Sequence, residues 1–172
     1  MNDQLREELL QRVAEEQRLR AEWIDKEDDA QFAAHVMEVD TQNTIWLEKI
    51  IEQYGLPGNS LVGEEGANAV FLIVQHSPYL EFQRKCLTLM GLAVDEGDVN
   101  PIHLAYLTDR VRIREGKPQF YGTQGQSQLD GVIVPAPIED EQTVDERRKA
   151  IGLEPITEYF KQMNEFYKTN LK

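Results

Sequence analysis

The sequence predicts a mainly α-helical protein of α+β class: a single-domain helical array carrying a small antiparallel β-hairpin or three-stranded sheet. Three observations lead there. Between Ala67 and Val74 the only polar interruption is Asn68, and a run that apolar without alternation reads as a helix buried on most of its circumference. On either side of it, apolar residues recur at helical spacing between glycine and proline stop and start signals. One later stretch, RVRIREGKPQFYG, changes period to two around a glycine turn, the pattern of a hairpin.

Residues 2 to about 27 read as one helix, in which Leu5, Leu9, Val13, Glu16, Arg20 and Trp23 follow helical spacing. Its apolar stripe is narrow, so residues 1–33 are expected to be an N-terminal helical extension packed on a core of 40–172, within one domain spanning 1–172. The sharper reading is a helix that docks a protein partner through Leu5, Leu9 and Val13. Asp40 then reads as an N-cap, with Asn43 at the third helical position. The helix it opens buries Ile45, Trp46, Ile50, Ile51 and Tyr54, and Gly55 and Pro57 end it. Leu56–Val62 is a turn into the central helix, Glu64 to Gln75, whose first carboxylates face the positive end of its dipole. A buried strand is the alternative there, because Val, Ile and Phe also suit sheets.

Ser77 and Pro78 are start signals for a helix to about Asp95, burying Leu80, Leu87, Met90 and Val94 and stopped by Gly97. Asn100-Pro101 starts a short helix, Ile102 to Asp109. In the hairpin that follows, Ile113 pairs with Pro118, Val111 faces Phe120, and Arg110 faces Tyr121. A helix continuing through Arg114 is the competing reading. Gly122–Asp130 is a polar loop, Val132–Val134 a third short strand, and Pro135–Glu141 an extended acidic connection. Thr143 and Glu146 suggest a capping box. Gly152 ends that helix, and Pro155 begins an amphipathic one with Ile156, Tyr159, Phe160, Met163, Phe166 and Tyr167.

With 18 Lys plus Arg against 31 Asp plus Glu, the net charge is −13. A field of that sign repels phosphates, so neither nucleic acid nor an anionic membrane is an expected partner. The single cysteine, Cys86, allows no internal disulfide and no cysteine metal motif; inside an apolar helical pattern it reads as a buried structural thiol. The N-terminus is acidic where a signal peptide is basic, and no apolar segment follows, so a cytoplasmic location is expected.

His35, His76 and His103 are the only histidines, and none has a second at metal-ligand spacing. HExxH, P-loop, GxSxG and dinucleotide patterns are missing, so no cofactor or metal is expected. What remains is a constellation at element ends, where rigid structure positions side chains well. His76 closes the buried helix and is a candidate acid or base; Asp109 is a candidate to orient it or share that role. Arg110 suits a bidentate anion contact, and Tyr121, Thr123 and Gln124 suit substrate placement. Each also has a plain structural reading: His76 as a cap on the last helical carbonyls, Asp109 and Arg110 as a local pair, the others as turn residues.

The blocks LVGEEGANAVFLIVQHS, LAYLTDRVRIREGKPQFYGTQ and PIEDEQTVDERRKAIGLEPITEY resemble an uncharacterised bacterial family, classed as a domain of unknown function. The resemblance covers roughly Asp40 to Tyr159, and upstream EQRLR is similar to the family's acid-Gln-x-x-Arg element. It implies a polar pattern of Gln17, Arg20, Asp40, Asn43, His76, Asp109, Arg110, Tyr121, Gln124 and Arg147. Three departures stand out: relatives carry a Trp near Val70, an acid soon after the histidine, where this chain has SPYL, and an aromatic in the loop after Gln124, which is polar here. The expected function is a small enzyme or ligand-binding protein that takes a compact, anionic small molecule or peptide end, with metal-free acid–base chemistry if catalytic. The alternative is an interaction or regulatory module using the N-terminal helix, with the polar cluster structural.

Overall fold

The computed structural model describes residues 1–24, 26, 28–129 and 131–170. Its elements are α1 (Asp3–Ile24), α2 (Ala30–Tyr54), α3 (Asn59–His76), α4 (Leu80–Asp95), α5 (Pro101–Arg114), β1 (Gly125–Ser127), β2 (Ile133–Pro135), a 3-10 turn (Glu141–Thr143), α6 (Val144–Ala150) and α7 (Ile156–Asn170). The class is mainly α with one small antiparallel sheet, as the patterning predicts. The chain divides into two compact units, Met1–Asn100 and Pro101–Lys172.

The first unit is built on α3. Its apolar run buries Ala67, Ala69, Val70, Phe71, Ile73 and Val74 and leaves Asn68 exposed, so the helical reading of this run holds over the strand. Gly63 breaks the helix near its start with φ 71 and ψ 170, a conformation that suits a residue without Cβ. Against α3 lie α1 and α2. The α1 stripe is consumed there: Leu5, Leu9 and Leu19 are buried. Of the face expected to meet a protein partner, Leu5 and Leu9 are therefore core and Val13 is half-buried. The predicted end of this helix near residue 27 falls partly outside the described residues.

Asp40 does not open a helix. α2 begins ten residues earlier in the numbering, at Ala30, where the Asp29 carboxylate accepts from the Gln31 and Phe32 backbone N–H groups at 3.0 Å each. Asp40 is tolerated within the helix because its carboxylate is engaged by a guanidinium, described below, and does not compete for backbone donors. The α3–α4 junction also differs in detail. Ser77 Oγ accepts from Tyr79 N at 3.2 Å, and α4 starts at Leu80, burying Phe82, Gln83, Cys86 and Met90.

In the second unit the expected 110–121 hairpin is not formed. α5 continues through Arg114 and buries Ala105, Leu107, Asp109 and Val111, and Gly116 follows with φ 72. Four residues of V-R-I-R are too few to separate a period of two from one of 3.6, and arginine is a good helix former. The sheet lies later: β1 pairs with β2 antiparallel, with Gly125 opposite Pro135 and Ser127 opposite Ile133. Thus the expected third strand exists, and its partner comes from a stretch read as loop. The Asn164 side chain of α7 completes β2, accepting from Ile133 N and donating to Ile133 O, both at 2.8 Å.

Thr143 precedes α6 without capping it; its hydroxyl donates to Asp140 Oδ2 at 2.8 Å instead. Asp145 Oδ1 accepts from Ile156 N at 2.8 Å and so satisfies a donor at the start of α7. Among the described residues, no helix is long and apolar enough to cross a membrane.

Candidate functional site

Helix α3 ends in carbonyls that need partners, and His76 is the residue expected to supply them. The buried Gln83 amide of α4 does so instead, donating to Val74 O and Gln75 O at 3.0 Å each. This leaves the His76 ring for another contact. Its Nδ1 lies 2.8 Å from Oε1 of Glu16, a carboxylate 2% exposed on α1, while the ring itself keeps 19% exposure. Nδ1 is buried and makes no aligned hydrogen bond, so the contact is a close approach rather than a linear bond.

Arg20, one turn further along α1, donates through Nε to the same Glu16 oxygen. Its Nη2 reaches both oxygens of Asp40 on α2, at 2.9 and 2.8 Å. Gln17 Nε2 donates to the second Glu16 oxygen at 2.7 Å. Burial pushes the Glu16 carboxyl upward, but His76 and Arg20 together outweigh it and leave the group below the ordinary glutamate value. For Asp40 burial wins: its carboxyl sits above the ordinary aspartate value despite Arg20, and the Glu16 charge adds to the rise.

The same helix pair carries a second polar contact. Arg12 Nη1 donates to Asn43 Oδ1 at 3.2 Å, Arg12 Nη2 pairs with Glu8 at 2.9 Å, and the guanidinium lies over the Trp46 ring with its carbon 4.2 Å from the centroid. The first unit thus holds Gln17, Arg20, Asp40, Asn43 and His76 from the sequence-derived set, and adds Glu16 and Arg12.

The second unit holds Asp109, Arg110, Tyr121, Gln124 and Arg147. Asp109 is fully buried, and its carboxylate accepts from Phe120 N at 2.6 Å, Tyr121 N at 2.9 Å, and Thr123 N and Oγ1 at 2.9 Å each. From the other side, Arg147 Nε donates to Phe120 O at 2.8 Å, Arg148 Nη1 to Tyr121 O at 2.9 Å, and the Tyr159 hydroxyl to Thr123 O at 3.1 Å. Gln119, also fully buried, donates to Gln124 O at 2.9 Å and accepts from Gln124 N at 2.8 Å. The two ends of the segment 119–124 bond through backbone, Gln119 with Pro137 and Glu139 and Gln124 with Ala136, while side chains hold the residues between. This geometry makes Asp109 and Arg147 supports of a loop: their polar atoms are spent on main chain. Arg147 also stacks over Phe120, 4.5 Å from its centroid. Tyr121 and Gln124 are half-buried on this rigid segment; burial and the Asp109 charge push the Tyr121 phenol upward.

Gly122 explains part of the YGTQ block. It has φ 70, and a Cβ there would fall 2.5 Å from Ile156 Cδ1, so both backbone and packing exclude a side chain. Sequence reasoning missed Glu16, Gln119 and Arg148. A signal for Glu16 existed: it occupies the apolar stripe of α1, and a carboxylate in such a stripe implies a buried partner. Gln119 and Arg148 carry no comparable mark. Among the described residues no three His, Cys, Asp or Glu side chains are grouped to hold a metal ion.

No curated protein matches the chain, and no solved structure does. The resemblance read from the blocks above extends to both ends: residues 3–172 match the model of the family described as "Family of unknown function (DUF6624)", and the chain belongs to that family.

Proposed function

We propose that this protein is a small enzyme or ligand-binding protein whose acid–base group is His76, acting on a compact polar molecule or peptide end by hydrolysis or group transfer. The observation that carries this reading is the 2.8 Å contact between His76 Nδ1 and the buried Glu16 carboxylate. A carboxylate beside Nδ1 favours the tautomer with its proton on that nitrogen, and so leaves Nε2 as the base. Arg20 and Gln17 hold Glu16, and Asp40 holds Arg20, so the ring is oriented through two layers of contacts. In hydrolysis, Nε2 would take a proton from water as the water oxygen bonds to the electrophilic carbon. The same proton would then pass to the leaving group as its bond to that carbon breaks.

A net charge of −13 favours a small molecule or peptide over nucleic acid or an anionic bilayer. In the second unit, taken by itself, Asp109 and Arg147 support the loop that carries Tyr121 and Gln124.

Thermal-shift screening of wild type and His76→Ala against metabolites and short peptides tests the proposal. Ligand-dependent stabilisation of wild type that the variant lacks supports it. No shift with any ligand, together with a variant destabilised by about 1–3 kcal/mol from the loss of one partner of a buried carboxylate, would assign the cluster to structure alone.

A further inference from the structure

The polar seam between α1 and α2 holds one donor that its own neighbours leave unused. Asn43 is 4% exposed, and its Oδ1 accepts from Arg12 Nη1. A guanidinium can only donate, so the oxygen of the amide must face Arg12 and the nitrogen must face away. That nitrogen, Nδ2, is buried and has no hydrogen-bond partner among the described residues. Native proteins rarely leave such a group unpaired, and a ligand is one of the few reasons they do.

Its position links it to His76. Arg12 and Arg20 are two turns apart on α1, about 12 Å along the axis, yet their partners Asn43 and Asp40 are one turn apart on α2. Both guanidinium groups therefore lean toward one short stretch of α2, with Glu16 midway between them on α1. Asp40, one turn from Asn43, is joined to His76 through Arg20 and Glu16. The fixed charges of the seam are three carboxylates, Glu8, Glu16 and Asp40, against two guanidiniums, Arg12 and Arg20. A ligand carboxylate would add repulsion, whereas a neutral carbonyl oxygen accepts from Nδ2 without it.

We propose that Asn43 Nδ2 is the substrate-binding donor of this site, and that it takes the oxygen of a neutral carbonyl group, an amide or ester, beside His76. The proposal rests on the reading of His76 as the acid–base group, and it replaces the expected anionic ligand with an uncharged one.

The test is a titration of the full-length 15N-labelled protein with acetamide and, separately, acetate, following the Asn43 side-chain amide signals, which are assigned through their own backbone and by their loss in Asn43→Asp. The expected result is a saturable shift with acetamide and little with acetate at equal concentration. In His76→Gln the acetamide shift should persist, because the donor acts without the proton transfer. A failed His76 reading thus leaves this signal in place and removes only turnover of amides and esters. Asn43 signals that acetamide does not move, or that acetate moves equally, overturn the proposal; both are read on wild type, so a poorly folded variant does not obscure them.

Discussion

Glu16 on α1 and His76 at the end of α3 meet at 2.8 Å, the carboxylate 2% exposed and the ring still open to solvent. The pair exists because Gln83 satisfies the last carbonyls of α3 and releases the histidine from that duty. A buried charge of this kind is stable only with partners, and Arg20 and Gln17 provide the others.

The two carboxyls of the cluster should respond to acid in opposite directions. Glu16 sits below its ordinary value, so the unfolded chain takes up its proton first as pH falls. Its contribution to stability is present above the ordinary carboxylate pKa of about 4.3 and is lost as pH drops toward the folded value. Asp40 sits above its ordinary value; its contribution is present at low pH and lost as pH rises through the folded value. Urea unfolding between about pH 3 and pH 7 should show a shallower acid loss for Glu16→Gln and a steeper one for Asp40→Asn. At neutral pH Glu16→Gln should also cost about 3 kcal/mol, the scale for breaking a buried pair. If both variants changed the slope in the same sense, the assigned directions would be wrong.

Replacing Asp109 by Asn should loosen the segment 119–124 while leaving α5 formed. An amide presents an N–H2 to the backbone donors that the second carboxylate oxygen now serves. The loss should be about 3 kcal/mol, because hydrogen bonds to a charged acceptor are the strong ones. Hydrogen exchange at Phe120, Tyr121 and Thr123 amides should accelerate. Unchanged protection at those three would show that the loop does not depend on the carboxylate.

Gly122→Ala meets both a left-handed backbone and Ile156 Cδ1 at 2.5 Å. It should destabilise by about 1–3 kcal/mol. Adding Ile156→Val removes that carbon and should recover part of the loss in thermal melts, leaving the backbone strain. A double variant no more stable than Gly122→Ala would locate the whole cost in the backbone.

Cys86 is fully buried and burial pushes its thiol up to about 12. The native protein should not react with a disulfide reagent at pH 8, since the thiolate is both scarce and inaccessible. One equivalent should react once urea unfolds the chain. Rapid labelling of the folded protein would contradict the burial.

By itself the sequence determined the helical class, the buried character of the Ala67–Val74 run, and most helix positions outside Ala30–Val39 and Arg110–Arg114. These follow from local patterning: apolar periodicity, and glycine and proline signals. Only the tertiary structure decided that Val111 and Ile113 lie on a helix, that β1 and β2 pair, and that Asp40 sits mid-helix. A four-residue alternation fits both periods, and Asp40 becomes legible only beside Arg20, which reaches it from another helix. The same holds for Glu16, whose carboxylate looks in sequence like a break in an apolar stripe. Its meaning comes from a ring that folding brings across from α3, a contact between residues far apart in the chain that no local pattern encodes.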